Sequence, residues 1–331
     1  MSGASSSAAE WFTQLEPAQN PDDLPHRPDD PHLGDVVEFW RGDTDALRHG
    51  RAVLIGFPQD EGVRRNQGRP GAAEAPGEIR RWLYRLTTSE PANHHDLVDF
   101  PPLDMGNVRI SGGLEDAQAA LGQVVAGVLS RGAIPIVLGG GHETVFGVYL
   151  GYVAARRPVG IINIDAHLDV RPLIDGRGHS GSPFRQALEH PTAPLAQYIC
   201  LGAQPHATSR EHLRYAQEHG CVVRWAGELT PSLAHHLTVE GGRVAGGGCA
   251  VHVSIDADAV TMAEVPGVSA PNPVGLAGTE VIGAVRLAGS SHEVSGLDLV
   301  EINPRLDRDG QSARWGAVLI WNFLIGLLGR S

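Results

Sequence analysis

The chain has 331 residues with 26 basic and 38 acidic side chains, a formal charge of −12, and that length can bury the core of one large α/β domain or two ordinary ones. An acidic excess of this size argues against nucleic acid or an anionic membrane as the main partner. Every basic residue is Arg and none is Lys, which excludes a P-loop lysine and a Schiff-base lysine.

Residues 1–35 are Ser/Ala-rich and then Pro/Asp-rich (EPAQNPDDLPHRPDDPHLGD), a composition suited to an extended arm with few core side chains. The opening MSGASSSAAEWF has neither a basic segment nor an apolar core. No secretory signal is visible there, and cytoplasm is the default expectation. From 36 to 331 a single domain is expected, because after residue 50 no break in composition divides the chain.

Apolar, β-rich runs predict strands at 52–57, 96–100, 133–138, 159–164, 197–202, 221–225, 249–255 and 294–300. Between them the patterns at 72–86, 114–130, 143–156, 208–219 and 276–288 read as helices, with a last one at 312–329. Such alternation implies a mostly parallel sheet with helices on both faces. The longest apolar stretch, Gly316–Leu328, is interrupted by Asn322 and too short to span a bilayer. Cys200, Cys221 and Cys249 are far apart and sit in or beside apolar runs, as buried thiols of a reducing compartment would. Long loops are expected at 58–71, 170–182 and 259–275, where a fold of this kind places substrate contacts.

Three short clusters follow three of these strands: His142 in GGGHET, Asp165, His167 and Asp169 in NIDAHLD, and Asp256 and Asp258 in SIDAD. A lone Asp after a strand is usually a turn former, and a lone His near a sheet is usually a hydrogen-bonded core residue. DAHLD resists that explanation. Alternation along an extended segment points Asp165, His167 and Asp169 to one side, and three ionisable groups there would cost several kcal/mol unless a cation joins them. Four carboxylates and two imidazoles exceed the needs of one ion. Two divalent cations balance them, and an oxygen-rich set with His favours Mn²⁺.

GGGHET, NIDAHLD, SIDADAV and GLDLVEINP, in this order and spacing, resemble the ureohydrolases, the family of arginases, agmatinases and formimidoylglutamases, over roughly residues 50–330. The resemblance implies a three-layer α/β arginase-like fold with an eight-stranded, mostly parallel sheet. It also implies a binuclear manganese centre, two Mn²⁺ per subunit, and a homo-oligomer. One ion would be held by His142, Asp165, Asp169 and Asp256, the other by Asp165, His167, Asp256 and Asp258, with Asp165 and Asp256 bridging. Glu301 in LDLVEINP matches the carboxylate that orients the substrate's amidine or guanidine group.

Two loops bear on the branch of the family. SGSPFRQ places Ser180 where arginases and agmatinases carry a histidine, with His179 one residue earlier, and PGVSAPNPVGL follows SIDADAV. Both look like the formimidoylglutamase branch, which cleaves N-formimidoyl-L-glutamate to L-glutamate and formamide in histidine breakdown. In that chemistry a hydroxide bridging the ions attacks the formimidoyl carbon. Asp169 or His179 returns the proton to the departing nitrogen, and the sequence does not rank them. The two substrate carboxylates need cationic partners, for which Arg171, Arg177 and Arg185 are candidates, with Ser180 and Asn272 as further contacts. Competing functions are a urea-releasing enzyme of agmatinase or guanidinobutyrase type, a zinc deacetylase on a related fold, and a non-catalytic metal-binding regulator.

Overall fold

The computed structural model describes residues 11–18 and 29–330. Of the expected arm, residues 1–10 and 19–28 therefore lie outside the described residues. Eight strands run parallel: β1 (Ala52–Gly56), β2 (Leu103–Val108), β3 (Ile134–Leu138), β4 (Val159–Ile164), β5 (Gln197–Ala203), β6 (Val222–Trp225), β7 (Ala250–Asp256) and β8 (Val294–Val300). Their spatial order is β2-β1-β3-β8-β7-β4-β5-β6. Two dipeptides extend the β2 edge, Leu15–Glu16 antiparallel and Glu38–Phe39 parallel, which makes a ten-stranded mixed sheet around the eight expected strands. The family expectation of an arginase-like α/β fold is thus met, with a wider edge than eight strands.

The strands are near-continuous apolar runs because both faces are covered. All six residues of β4, VGIINI, are buried. Side chains alternate between two cores. Leu54, Ile136, Ile162, Val253 and Leu297 pack with α1 (Ala75–Leu83), α6 (Leu233–Gly246), α7 (Gly278–Ser290) and α8 (Gln311–Leu328). Val53, Ile55, Val137, Ile161 and Tyr198 pack with α2 (Leu114–Ser130), α3 (Thr144–Ala154), α4 (Pro183–Leu188) and α5 (Arg210–Glu218). Each fully buried Leu, Ile or Val contributes roughly 1.5–3 kcal/mol relative to exposure. At the α7–α8 crossing, a Cβ added to Gly289 would lie 2.4 Å from the Phe323 carbonyl oxygen, and one added to Gly326 would lie 2.3 Å from that of Arg286. The two backbones touch there, so a methyl group would force the helices apart.

Two elements differ from expectation. The strand predicted at 96–100 is absent; only His95–Asp96 is extended, paired with Ser89–Glu90 in a separate ribbon. Pro101 and Pro102 follow, neither of which can donate a ladder hydrogen bond, and the sheet strand begins at Leu103. Its polar residues disguise it: Asp104 is fully buried and accepts from Arg80 Nε at 2.7 Å, from Arg80 Nη2 at 3.0 Å and from the Tyr84 hydroxyl. Helix α6 was also not expected, since Gly241 and Gly242 interrupt its pattern; Leu233, Leu237 and Val244 nevertheless bury one face. Among the described residues no helix is long and apolar enough to cross a membrane. Cys200 is buried, Cys221 and Cys249 are half-buried, and none is paired.

Candidate metal centre

The four adjacent strands β3, β8, β7 and β4 end side by side, and their carboxyl ends form one crevice. His142 follows β3 through Gly139–Gly141. A Cβ on Gly140 would lie 1.7 Å from the Gln59 carbonyl oxygen, so only glycine lets the loop after β1 pass across this turn. β4 ends at Ile164, where Asp165 folds back: its Oδ1 accepts the His167 N–H at 2.7 Å. β7 ends in the same way, with Asp256 Oδ1 accepting the Asp258 N–H at 2.8 Å. The same Asx turn thus presents the next candidate ligand side chain in both motifs.

All six expected ligand side chains come together. His142 Nδ1 lies 2.9 Å from Asp169 Oδ2, 3.0 Å from Asp256 Oδ2 and 3.4 Å from Asp165 Oδ2. His167 Nδ1 lies 3.4 Å from Asp165 Oδ1 and 3.3 Å from Asp258 Oδ2. Two groups result, His142–Asp165–Asp169–Asp256 and Asp165–His167–Asp258, each with its ligand atoms within 4.8 Å of one another. Asp165 belongs to both, whereas Asp256 falls in the first alone. The expected convergence arises by a different geometry from simple alternation. Residues 165–169 are a bent loop, and Asp169 reaches the cluster from a left-handed backbone, φ +46°.

Electrostatics show what the cluster lacks. Burial raises the Asp256 carboxyl well above its ordinary range, and the neighbouring Asp258 and Asp165 raise it further. Burial likewise carries Asp258 to about 6, against the pull of His167. Burial disfavours the charged ring of His142, yet Asp165, Asp169 and Asp256 outweigh it and raise its pKa well above the usual histidine range. His142 Nδ1 is nevertheless buried without a hydrogen-bond partner, as is Asp258 Oδ1. Lone pairs converging without a donor are what a cation satisfies, and this donor set of hard oxygens and imidazoles fits a pair of divalent ions such as Mn²⁺.

Glu301 follows β8 and has a left-handed backbone, φ +65°. Its Oε1 accepts the His142 backbone N–H at 2.8 Å, and no hydrogen bond to Oε2 is found among the described residues. Burial, then Asp256 and Glu143, raise its pKa well above the ordinary range. Non-glycine residues in this conformation cost of order 1–3 kcal/mol each, and Asp169 and Glu301 both carry that strain beside the cluster.

The expected loop residues divide. Ser180 is buried and its Oγ accepts from Asn66 Nδ2 at 3.0 Å, while Arg171 Nη1 donates to Asn66 Oδ1 at 3.1 Å. Arg171 lines a cavity of about 330 Å³ with Asn66, Gln67, His179 and His212. His179 is buried with both ring nitrogens committed to backbone: Nε2 lies 3.0 Å from the Pro172 carbonyl, and Nδ1 accepts the Gly181 N–H at 3.1 Å. In contrast to the expected mouth contact, Arg185 Nε pairs with Glu189 on its own helix at 3.0 Å and its guanidinium stacks 4.2 Å above the Tyr215 ring. Arg177 is 58% exposed and lies 3.8 Å from Glu115. Asn272 closes a turn, its Oδ1 accepting the Val274 N–H at 3.1 Å.

Sequence reasoning missed the supports. Asn163 Nδ2 donates to Asp165 Oδ2 at 2.9 Å, and Glu143 Oε1 accepts the Gly62 N–H at 2.6 Å, which ties the loop after β1 to GGGHE. Asn66 was also missed, although it joins Ser180 to Arg171. For Asn163 a signal was present: a polar residue inside an apolar strand, two positions before a ligand and therefore on the ligand's face.

A family model for the arginase family matches residues 50–326. The chain belongs to the arginase family. This arginase-family chain is 38% identical over 279 residues to a formimidoylglutamase of Geobacillus thermodenitrificans (strain NG80-2), covering 83% of the chain and 84% of the relative. It is 37% identical over 292 residues to one of Rhodococcus jostii (strain RHA1), covering 83% and 86%. The solved structure of Trypanosoma cruzi formiminoglutamase with Mn²⁺₂ superposes with a TM-score of 0.82 at 32% identity, over 91% of this chain and all (100%) of the other. A Bacillus subtilis formimidoylglutamase structure, at 23% identity and a TM-score of 0.84, shares the fold.

Proposed function

We propose that the chain is a manganese-dependent formimidoylglutamase, hydrolysing N-formimidoyl-L-glutamate to L-glutamate and formamide, with residues 36–331 as one catalytic domain. Convergence of the six ligand side chains beside Glu301 is the observation that carries this reading, and the similarity to formimidoylglutamases supports the choice of substrate. The place of the reaction is histidine breakdown in the cytoplasm, and the unpaired cysteines fit a reducing compartment. A homo-oligomer is proposed on family grounds.

His142, Asp165, Asp169 and Asp256 would hold one Mn²⁺, and Asp165, His167, Asp256 and Asp258 the other. Together the ions would lower the pKa of water toward neutrality and so supply the nucleophile. The protein's own groups do the rest. Glu301, fixed through Oε1 to the His142 N–H, faces the cationic amidinium and orients the formimidoyl carbon. Asp169 accepts the proton of the attacking water and returns it to the departing glutamate nitrogen. His179, with neither ring nitrogen free, holds the 170–182 loop in shape. Arg171, set by Asn66 and Ser180, receives a substrate carboxylate through its planar fork. Product analysis tests this: formamide and glutamate in equal amounts are expected, whereas urea from a guanidino compound at comparable efficiency would overturn the substrate assignment.

A further inference from the structure

We propose that Ser254 and Asp298, steadied by His252, form a buried relay that sets which ring nitrogen of His142 is free to bind metal. The proposal rests on His142 being a manganese ligand. β7 and β8 are neighbours, and Ser254 pairs in register with Asp298. Ser254, Asp298 and His252 are all fully buried. Asp298 Oδ2 lies 2.6 Å from His252 Nε2, and Asp298 Oδ1 accepts from Ser254 Oγ at 2.7 Å. On its other side Ser254 Oγ lies 3.2 Å from His142 Nε2. The far end is closed by Tyr152, whose hydroxyl lies 3.3 Å from His252 Nδ1 and 2.9 Å from Ser295 Oγ. Ser295 Oγ donates to the Val251 carbonyl at 2.9 Å.

Proton accounting gives the relay its direction. A carboxylate only accepts, so the single hydroxyl proton of Ser254 goes to Asp298. Toward His142, Ser254 can then only accept, which requires the proton on Nε2. The lone pair of a neutral His142 is thereby placed on Nδ1, the atom that lies 2.9 and 3.0 Å from Asp169 and Asp256. A serine free to rotate would instead donate to Nε2 and leave a proton on Nδ1, where the ion must sit. Partners that orient a ligating imidazole in this way typically govern metal affinity by 10–100-fold. The buried Asp298–His252 pair would be complete as a core feature on its own; the link through Ser254 to His142 is what gives it a bearing on the metal.

The experiment is an Mn²⁺ titration of the metal-free full chain by calorimetry and electron paramagnetic resonance, for wild type, Ser254→Ala and Ser254→Thr. Wild type should bind two ions. S254A should weaken one of them by about 10–100-fold, leave the other within about twofold, and replace the spin-coupled pair signal by a single-ion signal at low Mn²⁺. S254T, which keeps the hydroxyl, should restore the pair. Metal-free S254A should melt somewhat lower, because buried Asp298 Oδ1 loses its donor, and S254T should restore the wild-type melting temperature. S254A binding both ions as wild type does would overturn the relay. So would equal weakening of both ions together with a fall in metal-free melting temperature that S254T does not repair. Should S254A be too unstable to titrate, Asp298→Asn serves: its amide can donate to Ser254 and turn the hydroxyl proton toward His142, and wild-type affinity for both ions would refute the proposal. A wild-type chain that binds no pair of ions overturns the metal reading itself and removes the basis of the relay with it.

Discussion

Glu301 Oε1 receives the backbone N–H of His142 at 2.8 Å across 159 positions of sequence, so the carboxylate proposed to face the substrate also fixes the loop that presents a candidate metal ligand. The two elements that meet there, the ends of β3 and β8, are neighbours in the sheet. In the proposed function, substrate orientation and metal geometry therefore share one contact.

Removing Asp256 should have opposite effects on function and on the metal-free fold. Asp256→Ala loses a proposed ligand, and kcat/KM should fall by more than about 100-fold. Its carboxyl is buried beside Asp258 and Asp165, so the metal-free variant should melt no lower than metal-free wild type. Mn²⁺ at about 100 times its dissociation constant should stabilise wild type by about 2.7 kcal/mol per site, a gain that chelation abolishes. Scanning calorimetry with and without chelator measures both; full turnover with two bound ions in D256A would refute the ligand assignment.

Asp169 and His179 can be told apart by substitution. Asp169→Asn removes the proposed proton carrier, which is also a candidate ligand, and should cost at least about 100-fold in kcat. His179→Gln keeps a group able to hydrogen bond with the loop backbone and should cost less than about tenfold. A loss of 100-fold or more in kcat for H179Q, with the loop intact, would make the imidazole the acid.

The same histidine sets a pH limit for its loop. Burial lowers the His179 pKa below the ordinary 6.5, the hydrogen bond to the Pro172 carbonyl and then Asp169 pull the other way, and Arg171 and Arg65 lower it further. A depressed histidine pKa in the folded state contributes stability that is present above 6.5 and lost as pH falls through the folded value. Protonation also fills the Nδ1 lone pair that accepts from Gly181. Amide exchange across 172–182 should therefore accelerate below the usual histidine range, and H179Q should flatten that dependence. An exchange rate that responds to pH equally in both proteins would show that another group controls the loop.

Among the three candidate arginines, Arg171 should stand alone. Arg171→Ala should raise KM for formimidoylglutamate by about 10–100-fold with little change in kcat, the value of one charge-assisted contact of about 1.5–3 kcal/mol. Arg185→Ala and Arg177→Ala should stay within about threefold, because Arg185 is held by Glu189 and Tyr215 and Arg177 is largely exposed. Steady-state kinetics that ranked R185A above R171A would move the carboxylate subsite to α4.

The convergence of the six candidate ligand side chains was legible in the sequence because their clusters follow continuous apolar strands, and in a parallel sheet such strand ends adjoin. Their support was less so. Asp169 reaches the cluster through a left-handed turn, which alternation does not anticipate. Residues 96–100 look like a strand until the two prolines are weighed, while β2 hides behind Asp104, a buried carboxylate satisfied by Arg80 some 24 positions earlier. The direction of Arg185 depends on how α4 lies against α5, a tertiary matter that local pattern does not contain. Asn66 and Ser180 meet across 114 positions, beyond the reach of any local motif.

The most direct test of the central claim is an anomalous difference map at the manganese edge from a crystal of the chain grown with Mn²⁺. Two peaks are predicted in the crevice between β3, β8, β7 and β4, one touching His142, Asp165, Asp169 and Asp256, the other touching Asp165, His167, Asp256 and Asp258. A single peak, or a pair of peaks bound away from these six side chains, would contradict the account.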